Sequence, residues 1–159
     1  MTWQDSNQLT CTLETVFNQI LDQRMCGLPL LNHALSVEVA GFNPVNDEWV
    51  GILITPWFMN LLLMPRQDCS WSGLHMGAKF EKSFPYGVFE FTLAVEERLG
   101  TYAQCSLFSP MFQFATQADA LATAQSALQA LMVGEMPPNA HNLSRRNFLS
   151  GQLGNNGRV

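Results

Sequence analysis

Four cysteines (Cys11, Cys26, Cys69, Cys105) and three histidines (His33, His75, His141) are the residues of this sequence best suited to bind metal or attack a substrate. A zinc or iron site takes its ligands in pairs a few residues apart, so that one turn presents two of them to the same ion. Here the cysteines are 15, 43 and 36 residues apart and the histidines are scattered. The spacing points to no resident metal and no cofactor. A catalytic thiol needs a base and an electropositive setting. Cys105 lies in Tyr102-Ala103-Gln104-Cys105-Ser106-Leu107, within an expected strand and with no histidine placed beside it, which favours a buried structural cysteine. No G-x-S-x-G, H-E-x-x-H, phosphate-loop or dinucleotide-binding pattern occurs. Glu96-Glu97 fits a hairpin turn facing water. The chain is expected not to be an enzyme.

A different chemistry is concentrated in Ser106-Leu107-Phe108-Ser109-Pro110-Met111-Phe112-Gln113-Phe114, which crowds Phe108, Met111, Phe112 and Phe114 into a connection between elements. Connections run over surfaces, so part of this set is expected to face solvent and a partner. The alternative is that the four side chains plug the core where a helix meets a sheet. Trp57, Phe58 and Met59 are further candidates for the same surface. Eight methionines suit such a role, because unbranched thioethers repack against different apolar partners.

The elements that must position these residues can be read from period and punctuation. Leu13, Val16, Phe17, Ile20, Leu21 and Met25 recur at helical spacing over Thr12–Cys26, stopped by Gly27 and Pro29. Leu35, Val37 and Val39 alternate as in a strand, and Asn43–Asp47 reads as a turn. Trp49–Thr55 and Phe58–Met64 are apolar runs expected as buried strands, followed by a loop that carries Trp71. Lys79–Phe84, Gly87–Val95 and Thr101–Leu107 read as a meander of short, antiparallel connections. Thr116-x-x-Asp119 is a capping signal before an alanine-rich helix that ends near Gly134. The fold class is therefore α+β, a mostly antiparallel sheet flanked by an N-terminal and a C-terminal helix. Residues 1–134 are expected to form a single domain and 135–159 a basic, poorly ordered tail.

Charge is scarce, at 13% of residues, and net charge is −5. Residues 1–134 hold 5 basic and 12 acidic side chains, whereas 135–159 hold Arg145, Arg146 and Arg158 against Glu135. An acidic body excludes nucleic acid as a partner. So few charges leave apolar surface for another protein, or for a second copy of the chain. No apolar run is long enough for a membrane span, and Met1–Asn7 lacks the features of a signal peptide. A cytoplasmic location with reduced thiols is expected.

Ser144-Arg145-Arg146-Asn147-Phe148-Leu149 resembles the twin-arginine core of a Tat export signal, yet it stands at the wrong end of the chain and no apolar stretch follows it. Two readings are open: a basic anchor packing Phe148 and Leu149 onto the acidic body, or a mimic of such a signal. Three further tracts are Trp49-x-Gly51-x-x-Ile54-Thr55-Pro56-Trp57, Phe84-Pro85-Tyr86-Gly87 with Phe91 after it, and Gly100-x-Tyr102-x-x-Cys105-Ser106-Leu107-x-Ser109-Pro110. Together they resemble the HybE/HupJ family of nickel–iron hydrogenase assembly chaperones. Arg145-Arg146-x-x-Leu149-x-Gly151 joins them, and the resemblance spans roughly Thr12 to Gly151. It implies a non-catalytic helper whose partners are the Tat-signal-bearing small-subunit precursor and the large-subunit precursor, held until their metal centres are complete. Tyr86, Arg145 and Arg146 thereby join the expected partner-binding residues. The competing class is a thiol, redox or oxygen-protection helper acting through Cys105 or Cys69. A third is a subunit retained in the finished complex.

Overall fold

A computed structural model describes residues 2–134. His141, Arg145 and Arg146 lie outside the described residues, as does the expected tail.

The first helix, α1, spans Ser6–Ile20 and begins six residues before the start expected from periodicity. The Asp5 side chain caps it, accepting the Asn7 N–H at 2.9 Å, and Leu9 joins Leu13, Val16 and Phe17 on the buried stripe. Cap and anchor outweigh the weak helical preference of Ser6-Asn7. A wider π-type turn over Leu21–Met25 ends it.

Six strands follow: β1 (Glu38–Val45), β2 (Glu48–Ile54), β3 (Met59–Pro65), β4 (Lys79–Ser83), β5 (Val88–Glu96) and β6 (Gly100–Phe108). The second helix, α2, spans Gln117–Val133. Thr116 caps its start by accepting the Asp119 N–H, and Gly134 closes it in the left-handed region at φ 76°. β1 starts later than expected and runs on through Asn43-Pro44, which the sequence had suggested as turn. Pro44 is tolerated because β1 is an edge strand; the turn itself is Asn46-Asp47, with Asn46 at φ 54°. Between Val39 and Phe42 the β1–β2 register slips by a bulge. Opposite the bulge only glycine fits, since a Cβ on Gly51 would meet the Gly41 carbonyl oxygen at 2.3 Å.

Every strand pair is antiparallel and the order is β1-β2-β3-β6-β5-β4. The α+β class holds. β2 and β3 are buried along their whole length, which is why they are apolar without alternation. One face of the sheet turns Ile52, Leu61, Phe91 and Cys105 toward α2. The other turns Leu53, Leu62 and Tyr102 toward α1. α2 is alanine-rich on its sheet-facing positions, Ala120, Ala124 and Ala127, so its backbone lies close to the strands.

The sheet is curled. β4 and β2 stand four places apart in the order, about 19 Å in a flat sheet. Nevertheless Lys82 Nζ of β4 lies 2.6 Å from Glu48 Oε1 of β2. The α2-facing side must therefore be concave. Trp71, from the loop between β3 and β4, completes the closure: its indole N–H donates to Glu48 Oε2 and its ring stacks on Phe80 of β4 at 5.6 Å. Glu48 is 2% exposed and Lys82's side chain 26%, so the clasp is largely withdrawn from water.

Candidate functional site

Strand polarity sorts the connections into two ends. At one end lie the loop 27–37, the β2–β3 turn 55–58, the β4–β5 hairpin 84–87 and the connection 107–116. Together they contain no Asp, Glu, Lys or Arg. At the other end lie Asp47, Glu48, Arg66, Asp68, Lys79, Glu96, Glu97 and Arg98.

Asn32 ties the uncharged end together. Its side-chain amide donates to the carbonyls of Met111 (2.9 Å) and Phe114 (2.8 Å), and its backbone N–H donates to the Pro56 carbonyl (2.9 Å). Three segments remote in sequence are thus fixed to one another. The β2–β3 turn is built by buried Thr55, whose hydroxyl oxygen accepts the N–H of Trp57 (3.2 Å) and Phe58 (2.9 Å). That geometry projects the two rings side by side, edge to face at 5.4 Å, with Phe58 also against Phe17 of α1. In the third segment, which includes a cis Ser109–Pro110 peptide, Phe108 packs edge to face on Phe114 at 5.1 Å.

The expected partner-binding residues divide accordingly. Phe112 is 59% exposed, a large ring standing in water; Trp57, Phe58 and Phe108 are half-buried at the same end. Met59, Tyr86, Met111 and Phe114 are core residues: of the two readings open for Met111 and Phe114 the core plug holds, and Met59, expected on the surface, is not there. Met59 and Met111 are fully enclosed, because the concave face and α2 close over them. These four support the end; Phe112, Trp57, Phe58 and Phe108 present it. Leu28 and Leu30, each 38% exposed on the Asn32 loop, were not anticipated. Their sequence carries no period that marks them as surface. Asn32 was missed as well, since a lone asparagine in a loop gives no sign of which carbonyls it will meet.

The two thiols considered for a redox role are placed poorly for reactivity. Cys105 is buried in β6. Cys69 is half-buried, and burial, reinforced by the carboxylates of Glu48 and Asp47, pushes its pKa up to about 11. Near neutral pH it is a thiol rather than the nucleophilic thiolate. Cys11 and Cys26 are exposed, on α1 and just beyond its final turn. Among the described residues no three His, Cys, Asp or Glu side chains converge to hold a metal ion, and no helix is long and apolar enough to cross a membrane.

Residues 8–151 match the family model described as "[NiFe]-hydrogenase assembly, chaperone, HybE". The chain belongs to the HybE family. It is 41% identical over 145 residues to the hydrogenase expression/formation protein HupJ of Bradyrhizobium diazoefficiens, covering 86% of this chain and 84% of that protein. It is 43% identical over 155 residues to protein HoxT of Cupriavidus necator, covering 88% and 87%. The solution structure of HybE from Escherichia coli superposes with a TM-score of 0.64 at 25% identity, over 91% of this chain and 89% of that one. HybE-family membership makes hydrogenase assembly the process in which this chain takes part, and hydrogenase subunits its class of partner.

Proposed function

We propose that this HybE-family chain is a cytoplasmic, non-catalytic chaperone that holds precursor subunits of a nickel–iron hydrogenase. The precursors are the small subunit with its Tat signal and the large subunit, both retained until their metal centres are assembled. The observation that carries the reading is Phe112, a solvent-exposed ring on a rigidly tied end whose loops carry no Asp, Glu, Lys or Arg, flanked by the half-buried rings of Trp57, Phe58 and Phe108. Pre-ordered aromatic side chains lose little entropy on docking, so such an end suits the apolar stretch of a partner chain. The overall acidic body suits the basic residues that precede the apolar stretch of a Tat signal.

The test is capture of the purified small-subunit precursor, with and without its signal sequence, by the full chain and by Phe112→Ala and Trp57→Ala. Each substitution should weaken capture of the signal-bearing form by about 2 kcal/mol, roughly 30-fold, while circular dichroism stays unchanged. Folded variants that capture both forms as well as the parent does would refute the assignment of this end.

A further inference from the structure

Between β3 and β4, residues 66–78 hold neither helix nor strand. A connection of that length without regular structure is uncommon in a small domain and usually belongs to a lid or a binding loop. Its two ends are fastened. At one, the Arg66 N–H and guanidinium donate to the carbonyls of Asp47 (2.8 Å) and Asn46 (2.6 Å). At the other, the Gly77 N–H donates to the Leu93 carbonyl at 2.9 Å. Gly77 stands at φ 88°, a left-handed backbone that glycine adopts without strain.

Between these fastenings the strap hangs on one side chain. Trp71 is the single buried residue of 67–76. Its ring lies nearly parallel to that of Phe80, 11° apart, and Phe80 continues the stack onto Phe91 at 5.9 Å. The indole N–H meets Glu48. The Gln67 N–H (3.3 Å) and the Cys69 thiol (3.2 Å) both donate to the Asp47 carbonyl, an acceptor that the Arg66 N–H already uses. The N–H groups of Ser72 and Leu74 turn back onto the strap itself, to the Cys69 and Trp71 carbonyls at 3.1 Å each. Leu74 and Met76, 44% and 67% exposed, stand in water instead of adding to the core.

Segments with few buried apolar contacts open without the rest of the fold. Here the place that Trp71 fills is built by groups outside the strap. Glu48 keeps Lys82 at 2.6 Å and Phe80 keeps Phe91 whether or not the indole is present. Withdrawing the ring therefore undoes one side chain's burial and leaves the sheet's own contacts in place.

We propose that residues 67–76 open as a unit about Arg66 and Gly77, with Trp71 as the plug and Glu48 as its catch, while the sheet and both helices stay folded. The open form bares the Phe80 ring together with Trp71, Leu74 and Met76, an apolar surface at the pole opposite Phe112. This inference is independent of which precursor the chaperone holds.

Hydrogen exchange of the full chain in rising, sub-denaturing urea tests it, comparing residues 67–76 with β6. Exchange in 67–76 should depend shallowly on urea, because opening exposes little surface, and exchange in β6 steeply. Trp71→Phe and Glu48→Gln should each speed exchange in 67–76 at least fivefold. Val16→Ala, buried on the other face of the sheet beneath α1, should speed β6 at least fivefold and leave 67–76 unchanged, since the open and closed strap miss that packing equally. A urea slope shared by the two regions, acceleration of 67–76 by Val16→Ala, or failure of either Trp71→Phe or Glu48→Gln to accelerate it would overturn the opening.

Discussion

The two ends of the curled sheet solve opposite problems. At the charged end, one carboxylate is turned inward and paired: Glu48 accepts from Trp71 and pairs with Lys82, and nearby Arg66 donates to the Asn46 carbonyl at 2.6 Å with its guanidinium over the Trp49 ring. At the uncharged end, apolar rings are left outside and the polar atoms beneath them hold loops in place. One end uses buried polar groups to close the fold; the other uses them to hold aromatic side chains in reach of solvent. A fold can carry exposed rings if the constraint that shapes it lies elsewhere.

The largest expected effect falls on the charged end. Glu48→Ala removes the shared acceptor of Lys82 and Trp71 and should cost about 3 kcal/mol in urea unfolding, because it breaks a buried ion pair and strands an indole N–H. Partner capture by the folded fraction should persist; a variant as stable as the parent would show that Glu48 does not hold the curl. Asn32→Ala comes next. It deprives the Met111 and Phe114 carbonyls of their donor and should cost about 2 kcal/mol. Unlike Glu48→Ala, it should also reduce partner capture, since it frees the loop bearing Phe112. If the two variants affect capture equally, the ends are not separable.

Alkaline pH gives a finer distinction. Cys69 is raised from 9.0 to about 11 mainly by burial, and Tyr102 from 10.0 to about 12 by burial and then by Glu96. Between the unfolded and folded values the unfolded chain has lost a proton that the native chain keeps. Stability is therefore full below pH 9 and falls as pH rises toward 12. Cys69→Ser should flatten the fall between pH 9 and 11, and Tyr102→Phe that between pH 10 and 12, in unfolding midpoints followed across pH. The smallest effect is that of Phe112→Ala on stability, within about 0.5 kcal/mol, as befits a ring that stands largely in water.

Much of this architecture was legible in the sequence for reasons that are local. The apolar runs of β2 and β3, the Thr116 cap and Gly134 each announce themselves within a few residues. What was not legible depends on meetings between distant segments. The joining of β6 to β3, the curl that brings Lys82 to Glu48, and Asn32's choice of carbonyls leave no local mark. The same limit explains the candidate site. Residue type singled out Phe108, Met111, Phe112 and Phe114 together, yet alternation of exposed and buried positions in a connection follows from what lies beneath it, so only the fold separates Phe112 from Met111.

The bulge and proline of β1 carry a last consequence. A protein that keeps bare aromatic rings in water is at risk of sticking to its own copies, and open strand borders are the usual route to runaway stacking. Pro44 has no N–H to lend a newcomer, and the slip between Val39 and Phe42 bends the border out of the flat shape that a foreign strand would need. Adhesiveness at one pole is thus matched by a β1 border blunted against the spread of strand pairing.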